Sequence, residues 1–288
     1  MRDLHRRLPH GRTLLRAGPA APCPQEPAAR VRSLRSAVVL CIVLGGCATT
    51  LRSPARVDPA ALVRLDRFPT ADWARVLSEH VDEAGRVDYR RLRLRRAPLD
   101  RFVALLAAVG PRNRPELFPR NSDRLAYYLD AYNALVVFQV LERWPLASVR
   151  DDMLRFFYWT RFVVDGEEIS LYELENELVR PRFRDPRVHF ALNCASRGCP
   201  RLPRTPFSGS DLSARLEEET QRFLHEERNV RLQGDVVRLS EIFSWYAEDF
   251  PPTPLEWIRR HAPDLDLPAR ADVTYVPYDW RLNAQESP

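Results

Sequence analysis

The strongest pattern in the chain runs over residues 123–142. Leu125, Tyr128, Leu129, Tyr132, Leu135 and Val136 recur there at helical spacing, while Ala126, Ala131, Ala134, Val137 and Phe138 fill the other face. A helix that is apolar nearly all round belongs at the centre of a fold. Periodicity predicts shorter helices over 71–79, 99–109 and 211–224. Phe162-Val163-Val164 and Glu167-Glu168-Ile169 flank Asp165-Gly166, the dipeptide best suited to a type I′ hairpin turn. Residues 230–232 and 236–239 flank Gln233-Gly234-Asp235 as a second hairpin. Ser170-Leu171-Tyr172-Glu173 and Thr253-Pro254-Leu255-Glu256 read as capping boxes opening further helices. The apolar run 188–192 reads as a buried strand, and 273–276 as a last one. Hairpins and helices in mixed order, without regular strand-helix alternation, predict an α+β fold. The expectation is one helix-rich domain over 70–284, with short antiparallel strands and hairpins around a buried central helix.

Residues 1–46 read as an export leader. Arg32 and Arg35 precede Ala37-Val38-Val39-Leu40-Cys41-Ile42-Val43-Leu44, an apolar run too short to span a bilayer, and small residues follow. Leu44-Gly45-Gly46-Cys47 resembles the lipobox of bacterial lipoproteins. That resemblance implies a diacylglyceryl group on the Cys47 thiol and cleavage before it. Ala48, rather than Asp, follows the cysteine, which by the same family's sorting rule implies the outer membrane, facing the periplasm of the bacterial envelope. A start at Val31 would give a leader of ordinary length. Residues 47–69, rich in Thr, Ser and Pro, are then expected to be a lipidated tether.

Charge sharpens this division. The formal net charge is +5, but eight of the 44 basic residues precede Cys47 against Asp3 and Glu26, leaving 36 basic and 37 acidic residues in the rest. A body so nearly neutral has no electrostatic motive for binding nucleic acid. The expected partners are the membrane, through the lipid on Cys47, and a peptide, glycan or envelope protein. Every basic residue is Arg, so no lysine serves as Schiff base, general base or phosphate ligand. No cofactor or metal is expected.

Candidate chemistry concentrates in 188–200, where His189, Asn193, Cys194, Ser196 and Cys199 crowd together. With the leader removed and Cys47 lipidated, Cys194 and Cys199 are the thiols left in an oxidising compartment, so a disulfide is the default. A catalytic Cys194 is the rival reading: a thiolate needs a base, His189, and a group that orients the base, Asn133 or Asn193. On a continuous strand His189 and Cys194 would lie on opposite faces, roughly 16 Å apart, so the loop must fold back or His189 must serve another segment. A third reading, a metal site, has at most three ligands in Cys194, Cys199 and His189. Glu175 with Asp249 offers an acid/base pair or merely solvated carboxylates. Trp245, Tyr246 and Trp280 suit a ligand groove or a core, and Asp279 beside Trp280 suits the site's closure or a fastening of the terminal segment.

Several of these segments resemble the domain of unknown function 547 family of bacterial proteins. They are Asp130-Ala131-Tyr132-Asn133-Ala134-Leu135, Ser170-Leu171 with Glu175 and Leu178-Val179-Arg180, residues 185–196, Gly198-Cys199-Pro200, residues 240–246 with Asp249-Phe250, and Tyr278-Asp279-Trp280 with Leu282-Asn283. The resemblance implies a single domain and no agreed reaction. Two functions remain open: an envelope lipoprotein acting as a cysteine-dependent hydrolase or acyl transferase, or a non-catalytic binding or scaffold module.

Overall fold

The computed structural model describes residues 49–286, which form one α+β body. The leader and Cys47 lie outside the described residues. The chain enters through strand β1 (Thr49–Leu51) and helix α1 (Pro59–Val63), followed by α2 (Ala71–His80), α3 (Tyr89–Leu94) and α4 (Ala97–Ala108). The segment expected as a tether is therefore structured from Thr49 onward. Ser53 donates to the Asp100 carbonyl at 2.6 Å, and Phe68 packs edge-on against Tyr127 with ring centres 5.0 Å apart.

Helix α5 (Asn121–Glu142) is the axis of the larger core, with Leu129, Ala134, Leu135, Val136, Phe138 and Val140 all fully buried. Against α5 pack α2 to α4 and the hairpin of β2 (Thr160–Val164) and β3 (Glu167–Ser170). Asp165 and Gly166 take φ of 55° and 81°, the two positive values a type I′ turn demands. The Ser170 hydroxyl and Glu173 carboxylate complete their reciprocal cap at the start of α6 (Leu171–Glu173). The helix then widens into a π-turn over Leu174–Val179 and closes with α7 (Arg180–Phe183).

The second core gathers α8 (Leu212–Leu224), β4 (Val230–Gln233), β5 (Val236–Ser240), α9 (Ile242–Trp245), α10 (Pro254–His261) and β6 (Asp272–Val276). Phe190, Phe223, Phe243, Phe250 and Trp257 interlock at its centre. Both hairpins are antiparallel as expected, but each sheet gains a parallel third strand: β1 joins β2, and β6 joins β5. The sheets are mixed because α1 to α5 in one case, and α9 and α10 in the other, return the chain in the same direction.

One segment departs outright from expectation. Residues 188–192 are not a strand: Pro186–Phe190 form a 3-10 turn opened by the Asp185 carboxylate accepting from the Arg187 amide at 3.0 Å. A short apolar run is equally at home in a buried helical turn, and Asp-Pro at its head supplies the start signal. The turn straddles the two cores, Val188 and Ala191 facing the first and Phe190 the second.

Candidate functional site

Downstream of that turn the chain loops back, and asparagines hold it. Asn133, from the centre of α5, donates to the Ala191 carbonyl at 2.9 Å and accepts from the Asn193 amide at 2.8 Å. Asn193 in turn donates to the Pro200 carbonyl at 2.7 Å and accepts from the Ala195 amide and from Asn283. The Tyr89 hydroxyl donates to Asn283 at 2.7 Å. All of these polar side chains are buried: the bonds of Asn133 and Asn193 to the main chain fix backbone that has no water to fall back on, and Asn283 and Tyr89 hold the Asn193 side chain in place. Asn133 and Asn193 thus shape the loop; neither is the partner of His189.

That partner is Asp249, whose Oδ2 lies 2.7 Å from His189 Nε2. Arg180 donates to the same carboxylate oxygen at 2.6 Å and to Glu248 at 2.9 Å. Burial pushes the Asp249 carboxyl up, but the hydrogen bonds and charges of His189 and Arg180 outweigh it and hold the group at about 2. Tyr246 stacks on the His189 ring with centres 4.1 Å apart, lies under the Arg180 guanidinium, and donates its hydroxyl to Glu175 at 2.7 Å. Glu175 and Asp249 are therefore not a facing acid/base pair: one receives Tyr246, the other clamps His189. Glu175 reaches this position from the π-turn, a local widening that often re-aims side chains at functional sites.

The loop closes on the Cys194–Cys199 disulfide, with the sulfurs 2.07 Å apart. The Tyr278 hydroxyl sits 3.2 Å from one sulfur and 3.1 Å from the other. Cys194 is consequently no thiolate nucleophile in this state, and neither sulfur is free to bind a metal.

His189, Glu175, Arg180 and the disulfide all line one open cavity of about 560 Å³. Most of its remaining wall is aromatic, with Tyr132, Phe157, Tyr158, Tyr172, Trp245 and Trp280 beside Met153, Leu192 and Ile242. Ile242 and Phe243 bury the inner side of α9, which leaves Trp245 43% exposed on the cavity side, 4.8 Å from the Tyr278 ring and 5.6 Å from Trp280. Of the other candidate residues named from the sequence, Glu175, Trp245, Tyr246 and Trp280 meet here. Ser196 and Asp279 do not: they line a separate cavity of about 450 Å³ behind the disulfide loop, where Asp279 pairs with Arg281. Sequence reasoning did not name Tyr278 or Arg180 as site residues and did not connect Asp249 to His189, although all three fall within the segments that carry the family resemblance.

Residues 117–224 match a family model described as "Protein of unknown function, DUF547". The match takes in α5, the first hairpin, His189 and both cysteines, and stops short of Asp249 and Tyr278. No curated protein and no solved structure matches the chain.

Proposed function

We propose that this chain is a non-catalytic, lipid-anchored protein of the bacterial envelope whose aromatic cavity binds a segment of glycan. The observation that carries the reading is the composition of the cavity wall: exposed aromatic faces beside a carboxylate, a guanidinium and an imidazole, closed by a paired disulfide. Aromatic faces pack against the C–H faces of sugar rings while the polar groups take their hydroxyls, the mix of apolar wall and few placed polar groups that small-ligand sites use. Titration with soluble fragments of envelope glycan, followed by tryptophan emission, is the test. Saturable binding is expected, weakened at least about tenfold, or ~1.4 kcal/mol, by Trp245→Ala. Binding of a peptide panel instead of glycan would replace the ligand class, and no binding of either would remove the reading.

A second reading keeps a specific observation in its favour: His189, held by Asp249, lines the same cavity as Cys194. Were the disulfide reduced, the residue types of a Cys-His-Asp hydrolase or acyl transferase would share one wall, with Nδ1 as the ring nitrogen left to meet the thiol. Alkylation after reduction decides it. Labelling of Cys194 faster than an ordinary thiol, and slowed by His189→Ala, would support catalysis; equal rates in both proteins would end it.

A further inference from the structure

Leu154, Tyr158 and Trp159 stand 54%, 44% and 49% exposed on one short helical segment, an unusual concentration of large apolar side chains in solvent. Trp159 leads directly into β2, whose first residue, Thr160, is in register with Thr49, the first residue of β1. Thr49 and Trp159 line one shallow concavity with Leu51 and Arg155. In sequence Thr49 lies two positions after Cys47, a separation that even a fully extended chain stretches to no more than ~7 Å. Whatever fixes Cys47 to a bilayer therefore keeps Trp159 close to that bilayer.

We propose that Leu154, Tyr158 and Trp159 form a bilayer contact that enters the headgroup region beside the anchor and fixes the orientation of the domain. The proposal rests on Cys47 being the anchor point. Trp and Tyr favour this interface because their rings are apolar and their polar tips stay wet. An anchor leaving the body so close to the patch makes the membrane its nearest partner at high effective concentration. Orientation then bears on the cavity: Tyr158 stacks on Tyr172 with ring centres 4.5 Å apart, and both belong to the cavity's wall. That side of the mouth faces the lipid surface, so ligand reaches it from chains lying along the membrane.

The disulfide makes the experiment clean, because a chain beginning at Cys47 then has Cys47 as its one free thiol. Coupling that thiol to a maleimide phospholipid reproduces the anchor chemically, whether or not cells lipidate it. In vesicles of phosphatidylethanolamine and phosphatidylglycerol with brominated acyl chains, tryptophan emission is expected to be quenched. Trp159→Phe should lose most of that quenching, and Leu154→Asp should reduce it while Trp159 is still present. Equal quenching of all three coupled proteins, or none, would overturn the contact. Concentration-dependent shifts of Trp159 emission without lipid would overturn it in favour of a second copy of the chain. Mass analysis of Cys47 in the exported protein separately tests the anchor.

Discussion

Helix α5 and the loop from Ala191 to Pro200 touch each other yet are built on opposite principles. In α5 the backbone satisfies itself and most of the buried side chains are apolar, so burial does most of the work. In the loop backbone pairing is partial, with Arg197 and Gly198 donating to the carbonyls of Arg281 and Asp279, and the side chains of Asn133 and Asn193, the latter braced by Asn283, bond the backbone from Ala191 to Ala195 and at Pro200. The helix is therefore tolerant in detail and intolerant of lost volume, whereas the loop is intolerant of lost polar atoms. A segment held by buried side chains as well as by backbone pairing can leave regular structure, place its disulfide at the cavity wall and still be rigid.

The largest expected effect lies on the helix side. Phe138→Ala should cost about 3–5 kcal/mol by leaving a cavity in a closed core, measured by denaturant unfolding, with ligand affinity unchanged in whatever fraction stays folded. Next comes the loop: Asn193→Ala strands the Pro200 carbonyl and the Ala195 amide, for a loss of about 2–3 kcal/mol together with weakened binding. A stability loss without any binding loss would break the link between loop rigidity and site. Asp249→Asn should cost about 1–2 kcal/mol near neutral pH. The wild-type carboxyl is held at about 2 against an unfolded value of 3.8, so its contribution is full above about pH 4 and is lost as pH falls towards 2. The variant should lack that acid limb in a series of melting curves.

The smallest effect is expected from Asp130→Asn. Burial drives the Asp130 carboxyl well above its ordinary range, against the hydrogen bonds from the Phe207 amide and Trp73. A raised native value means stability is greatest below the unfolded value and declines as pH rises above it. An amide oxygen accepts the same two bonds without that penalty. Melting at pH 7 should change by no more than about 1 kcal/mol or rise, and the decline with pH should flatten. A large loss would mean that the carboxylate itself is needed.

How much of this was legible in the sequence follows the same divide. Regular periodicity exposed α5, and Asp-Gly and Ser-x-x-Glu exposed the first hairpin and its cap, because those signals are local. The parallel third strands were not legible, since pairing β1 with β2 or β6 with β5 depends on where intervening helices return the chain. The turn at Pro186–Phe190 was mistaken for a strand because the run is too short for its period to speak, although Asp185-Pro186 marked a helical start. Residue types located the site at His189 and Cys194 and favoured the disulfide. They could not assign His189 to Asp249 rather than to Asn133, because that choice is made by tertiary packing of the second core against the loop.

The central claim is that the cavity binds with its disulfide closed. The direct measurement is a glycan-fragment titration of unreduced protein pretreated with iodoacetamide, followed by mass analysis of the Cys194 peptide. Saturable tryptophan quenching is expected, with an intact Cys194–Cys199 link and no adduct. Binding or turnover that appears only after reduction, with substrate mass on Cys194, would contradict it.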